Sequence, residues 1–224
     1  MAEELSQFAD ILETADDFDA ALQKLVCDTF TAHSRILFSG NGYSEEWRQE
    51  AARRGLSDLR TTVDAMPSYV NDKNVELVTK HGIFTEAEFR ARNAIHLEAY
   101  SKIINIEAKT TADMAIRQII PAVSRYCAEV ASNLYRKESV GCSVTAEKDL
   151  VKKLSEHTDT LYALCEKLKS DLANAPHTAM NAARYFCETI VPDMDAVRKE
   201  ADILELLTDK SYWPFPTYSD LLFY

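Results

Sequence analysis

Five histidines, five cysteines and 36 acidic residues are the side chains of this 224-residue sequence with types suited to chemistry. His33, His81, His96, His157 and His177 are scattered, with no HxH, HExxH or Glu-x-x-His spacing. A di-iron site in a helical bundle needs the last of these, so that chemistry is disfavoured. His157 falls on an apolar stripe, where a hydrogen-bonded core histidine is expected. Cys27, Cys127, Cys142, Cys165 and Cys187 form no CxxC pair and are odd in number, the pattern of buried reduced thiols and not of a disulfide framework. Gly40-Asn41-Gly42-Tyr43-Ser44 precedes a helix but lacks the lysine of a P-loop and the third glycine of a dinucleotide fingerprint, so it reads as a turn plus an N-cap. Acids paired on helices mark solvated faces, and no pair stands out for general acid/base work. The remaining unusual stretch is Trp213-Pro214-Phe215-Pro216-Thr217-Tyr218. Its prolines forbid continuous helix, and Trp213, Phe215 and Tyr218 are candidates for a packing or assembly contact.

The elements that position these residues follow from periodicity. Only five glycines and six prolines occur, which favours long helices over a sheet with many turns. Thr85 with Glu88 has the spacing of a capping box. From Leu97, apolar residues recur at Tyr100, Ile104, Ala108, Ala112, Ile116, Ile119, Val123, Tyr126, Val130 and Leu134, one helical stripe up to Gly141. Such a helix would be on the order of 75 Å long and cannot bury its stripe alone. Two weak points interrupt it: the polar run Lys109 to Asp113, where one helix could end and another begin, and Pro121, which should kink it. Ser143 or Thr145 is expected to cap a second long helix, through Leu154, His157, Leu161, Cys165 and Leu168 to a stop at Asn174-Ala175-Pro176. A third runs from Ala179 to Leu207 with a kink at Pro192, antiparallel to the second.

The fold class expected is therefore all-α: an antiparallel bundle of long, kinked helices over residues 85–224, with an aromatic and proline-rich C-terminal strap. Residues 1–84 carry short elements. Asp16-Asp17 opens one helix, and Ser44 caps another that Gly55 ends. Leu59 to Met66 reads as a further turn or short helix stopped by Pro67, and Asp72 can cap a helix ended by Gly82. Arg35-Ile36-Leu37-Phe38 is apolar enough for a strand or a buried extended connector.

The net charge of −11 and pI near 5.0 argue against nucleic acid or anionic lipid as partners. No apolar run reaches transmembrane length, and the N-terminus lacks the regions of a signal peptide, so the cytoplasm is the expected location.

Several blocks resemble the C-terminal region of type III glutamine synthetases. They are Gly40 to Trp47, Arg54-Gly55-Leu56 through Ala65, Lys73 to Leu77, His81 to Thr85, Tyr100 to Ala108, Asp113-Met114-Ala115 with Ile120 to Val123, and Tyr212 to Tyr218 with Asp220 to Phe223. The resemblance implies one part of a longer polypeptide that joins ammonia to glutamate using ATP and magnesium or manganese. In that family the metal, nucleotide and glutamate ligands lie upstream of anything matched here, so no catalytic, cofactor-binding or metal-binding residue carries over, and residues 1–84 would border the catalytic domain. The role implied is structural or oligomer-assembling. Its partners would be the upstream catalytic domain and neighbouring subunits, and a homodimer of this chain is also open. Two other readings remain: a free-standing helical-bundle adaptor, which the surrounding reading frame would decide, and an enzyme with its own site in the bundle.

Overall fold

The computed structural model describes residues 1–222, the side chains of Tyr218 and Ser219 excepted. No strand occurs among the described residues, and the all-α expectation holds. The chain divides into two compact units, Met1–Asn93 and Ala94–Tyr224.

The first unit contains α1 (Ala2–Glu13), α2 (Phe18–Ala32), α3 (Glu45–Arg53), α4 (Thr62–Tyr69), α5 (Asp72–Lys80) and the start of α6 (Glu86–Met114). Its helix starts follow local side chains. Asp17 accepts from the Ala20 amide, Ser44 from Trp47 and Thr61 from Asp64. The α5 cap is Asn71, one residue before the expected Asp72, which instead occupies the first turn. At Thr85 the capping box is complete: the Glu88 carboxylate accepts from the Thr85 amide at 2.9 Å and hydroxyl at 2.8 Å, and the Thr85 hydroxyl accepts from the Glu88 amide at 3.3 Å. Gly55 ends α3 at φ +72°, where its amide reaches Ala52 and the Leu56 amide reaches Ala51, the paired bonds of a Schellman motif.

The core of this unit is small. Ala51, Val63, Val75 and Phe89 are buried, and the Phe89 ring lies 4.5 Å from Tyr69 and 6.1 Å from Phe84. Two expectations fail here. Pro67 does not stop a helix but sits inside α4, which runs on to Tyr69; its ring removes the one amide that would pair with the Val63 carbonyl. Arg35 to Phe38 is neither strand nor buried: Ser34–Ile36 is a single 3₁₀ turn, and Ile36, Leu37 and Phe38 are exposed. The Arg54 guanidinium donates to the Arg35 and Leu37 carbonyls, so the connector satisfies these acceptors without a strand partner.

The second unit is a bundle of three long columns. The first is α6, a π-helical segment (Ala115–Ile119) and α7 (Ile120–Ser139). The second is α8 (Thr145–Ala173). The third is α9 (Ala179–Tyr185), a π-helical segment (Phe186–Ile190) and α10 (Val191–Leu207). The column α8 lies in the middle, packed on both α7 and α10. Contacts that link it to its neighbours run antiparallel. Asp171 takes the Tyr185 hydroxyl on its carbonyl, Lys167 pairs with Asp193, and His157 with Glu200. Leu154, Leu161, Cys165 and Leu168 of α8 are fully buried against Ala108, Ala112, Ile119 and Val123 on one side and Ile190, Val197 and Leu204 on the other. The apolar stripe read from sequence is the face of the first column that is buried or half-buried.

Lys109 to Asp113 does not break the helix. The Thr110 and Thr111 hydroxyls return to the Ile106 and Glu107 carbonyls, both at 2.9 Å, so the side chains are satisfied without leaving helical geometry. The irregularity sits at the prolines. In each outer column a five-residue π segment ends two residues before proline: Ile119 before Pro121, Ile190 before Pro192. The Ile120 amide reaches the Ala115 carbonyl, and the Val191 amide reaches Phe186, one residue further than in an α-helix. Widening the turn there moves carbonyls away from a ring that would clash with the one four residues back.

The start of α8 also departs from expectation. Buried Val144 occupies the cap position with no side-chain bond, and the Ser143 and Thr145 hydroxyls lie 3.4 Å from each other. Ion pairs Lys137–Glu147 and Lys148–Glu138 close the turn instead, after Gly141 at φ +80°.

Candidate functional site

The C-terminal strap leaves α10 at Thr208, whose extended backbone ends the helix. Asp209 turns the chain, with its carboxylate accepting from the Ser211 amide at 2.8 Å and its carbonyl from the Tyr212 amide at 2.9 Å. The Tyr212 ring then lies 5.3 Å from Tyr126 on α7, and its hydroxyl donates to Glu129. Trp213 and Phe215 meet edge to face at 6.4 Å, half-buried against the core of the bundle. They also line a recess of about 270 Å³ floored by Met114, Ile119 and Ala201 and rimmed by Arg198, Asp202 and Glu205. Tyr218, named with them from sequence, has a side chain outside the described residues.

A second capping box secures the end of the strap. Asp220 accepts from the Thr217 amide at 3.0 Å and hydroxyl at 2.8 Å, and also pairs with Lys210. The Lys210 ammonium first, and the Thr217 hydrogen bonds after it, hold the Asp220 carboxyl at about 2. A carboxyl depressed on folding supports the strap at pH above its unfolded value, roughly 3.9, and this support is lost as pH falls toward 2. In a Trp47→Phe background, Trp213 emission is therefore expected to shift red between about pH 4 and pH 2. In Asp220→Asn the shift should already be present near neutrality while far-ultraviolet circular dichroism stays helical. Emission of Asp220→Asn identical to the parent throughout would refute this role for the carboxylate.

The surface that sequence reasoning passed over is on α2. Phe18, Leu22, Val26 and Phe30 follow one another at steps of four, which places them along one ridge of the helix. They are 54, 38, 45 and 58% exposed, and neither α1 nor α2 contains a buried residue. The spacing was visible in the sequence as an amphipathic helix. That the described residues of its own compact unit leave the ridge exposed was not.

The residues considered for chemistry stay apart. His157 is half-buried and bridges α8 to α10 through Glu200 at 2.8 Å, so it is hydrogen-bonded as expected but does not lie in the core. His81 lies 3.4 Å from Glu3. Among the described residues no three His, Cys, Asp or Glu side chains converge as a metal site. The Gly40 to Ser44 turn is held by Asn41 accepting from the Tyr43 amide at 3.0 Å, and Ser44 caps α3. Of the five free thiols only Cys165 is buried. Cys127 and Cys187 are half-buried, while Cys27 and Cys142 are exposed, which corrects the expectation that all five lie inside. Burial pushes the Cys165 thiol up to about 11 and raises that of Cys127, so neither ionises near neutrality. Tyr100 is pushed up to about 12 by burial and then by its hydrogen bond to Cys187 in the second π segment. No helix among the described residues is long and apolar enough to cross a membrane.

The family model of the glutamine synthetase C-terminal domain matches residues 21–138. The chain is 35% identical over 214 residues to a glutamine synthetase of Butyrivibrio fibrisolvens, an alignment covering 94% of this chain and 31% of that protein. It is 30% identical over 235 residues to a glutamine synthetase of Bacteroides fragilis (strain YCH46), covering 100% and 32%. With the type-3 glutamine synthetase of Dictyostelium discoideum it shares 30% identity over 217 residues, covering 91% and 29%. The chain thus spans about a third of the length of these curated relatives. A match over more than half of the chain, and relatives aligned across nearly all of it, place it in the glutamine synthetase family, as the C-terminal region of the type III enzymes.

Proposed function

We propose that this chain is a non-catalytic, structural region of a type III glutamine synthetase, supporting the fold and assembly of an enzyme whose reacting groups lie elsewhere in a longer polypeptide. That enzyme ligates ammonia to glutamate at the expense of ATP with magnesium or manganese, in nitrogen assimilation in the cytoplasm. The observation that carries the reading is the bare ridge of α2. Four large apolar side chains in a row are covered when a partner is present, and that partner is the remainder of the enzyme, since the relatives are about three times longer than this chain. Among the described residues no three His, Cys, Asp or Glu side chains come together, and no step of the ligation is assigned to this chain.

The test compares the purified chain, the full-length enzyme and the enzyme lacking this region. The chain is expected to give a helical circular dichroism spectrum and no ATP-dependent glutamine formation. The shortened enzyme should lose its native mass in size-exclusion chromatography with light scattering. Turnover by the chain alone, or unchanged mass and activity after the deletion, would overturn the reading.

A further inference from the structure

A groove of about 340 Å³ lies between the end of α6, the first π segment and the last turns of α8. Its floor is apolar: Ala112 is 2% exposed, and Ile116 is packed against the core. Its rim carries three cations, Lys109 and Asp113's neighbour Arg117 from the first column and Lys169 from α8, with Asp113 as the one carboxylate. On a chain of net charge −11 this is a local excess of positive charge. Lys109 makes no ion pair or side-chain hydrogen bond among the described residues. Arg117 holds Asp113 at 2.7 Å and Lys169 holds Glu166 at 2.9 Å. Both are exposed pairs within one helical column, of the kind that contribute little and exchange readily.

The polar run that read in sequence as a helix break is thus part of an unbroken helix, and its lysine stands over a cavity. Arg117 belongs to the π segment, an irregularity that recurs at functional sites. We propose that this groove binds a small organic anion: a phosphate or carboxylate head group held by Lys109, Arg117 and Lys169, with a short apolar body against Ala112 and Ile116. The volume suits a small molecule. The net charge of −11 disfavours a nucleic acid strand.

Phenyl phosphate and benzoate are suitable probes, titrated into the purified chain while the methyl resonances of Ala112 and Ile116 are followed by NMR. Saturable shifts confined to the groove are expected, weakening as sodium chloride is raised. Lys109→Gln and Lys169→Gln should each weaken binding about fivefold without changing Tm, because both side chains are exposed. Lys102→Gln, elsewhere on α6 and paired with Glu98, should bind as the parent does. Saturation by phenyl phosphate alone assigns phosphate esters, and by benzoate alone carboxylates. Saturation by neither, or unchanged affinity when Lys109 and Lys169 are both replaced, would overturn the site.

Discussion

Leu161→Ala is expected to destabilise the helical bundle by about 2–5 kcal/mol, the range for deleting a fully buried leucine side chain. Leu161 is 0% exposed, midway along α8, and belongs to the cluster shared by both outer columns. The lost contacts therefore fall within a cluster that joins α8 to both outer columns, and close packing there leaves the cavity only partly refilled. Against a typical total of about 5–15 kcal/mol, this is a large fraction, and Tm should fall by about 10 °C. The neighbouring Tyr162 is 53% exposed, so Tyr162→Ala should stay within about 0.5 kcal/mol of the parent and serves as the control. Thermal and urea unfolding of both variants measure the difference. Equal losses from the two would show that α8 is not the middle column of the bundle.

The second large effect concerns assembly and not the stability of this chain. The pair Leu22→Glu and Val26→Lys replaces the centre of the α2 ridge with good helix formers at the glutamate-to-lysine spacing that supports a helix. Neither parent side chain is buried, so the isolated chain should melt within about 1 kcal/mol of the parent. In the full-length enzyme the same pair should weaken attachment of this region by about 3 kcal/mol or more, since each leucine or valine buried against a partner contributes about 1.5–3 kcal/mol and the introduced charges would have to be desolvated. Light scattering should show loss of native mass, and limited proteolysis earlier release of this region. An enzyme with unchanged mass and protease resistance would mean that the ridge faces solvent in the assembled protein.

These two effects differ in where their causes are legible. Several helix starts were readable where one side chain reaches its own backbone. Asp17, Ser44, and Thr85 with Glu88 cap as their spacing required, because the interaction closes within four residues. The stripe from Leu97 to Leu134 likewise fixed which face of the first column is apolar, and the near absence of glycine fixed that the elements would be long helices. The strap was marked by prolines that forbid helix and by aromatics that favour a surface to pack against.

What the sequence could not determine were outcomes of competition between distant groups. Whether Lys109 to Asp113 breaks a helix depends on packing as well as propensity: Ala108 and Ala112 are held in the core, and two threonines find carbonyls within their own turn. Proline announced irregularity at positions 121 and 192, but the form it takes, a widened turn immediately before each ring, depends on keeping Ile119 and Ile190 buried. Val144 displaced two better capping residues because it is buried. The α2 ridge shows the limit most plainly. A period of four states that a helix has an apolar face, whereas only tertiary structure decides whether that face meets the core of its own chain or is left for a partner. The basic groove arises for the same reason, since Lys109 and Lys169 are 60 residues apart and become neighbours only when α8 folds back along the first column.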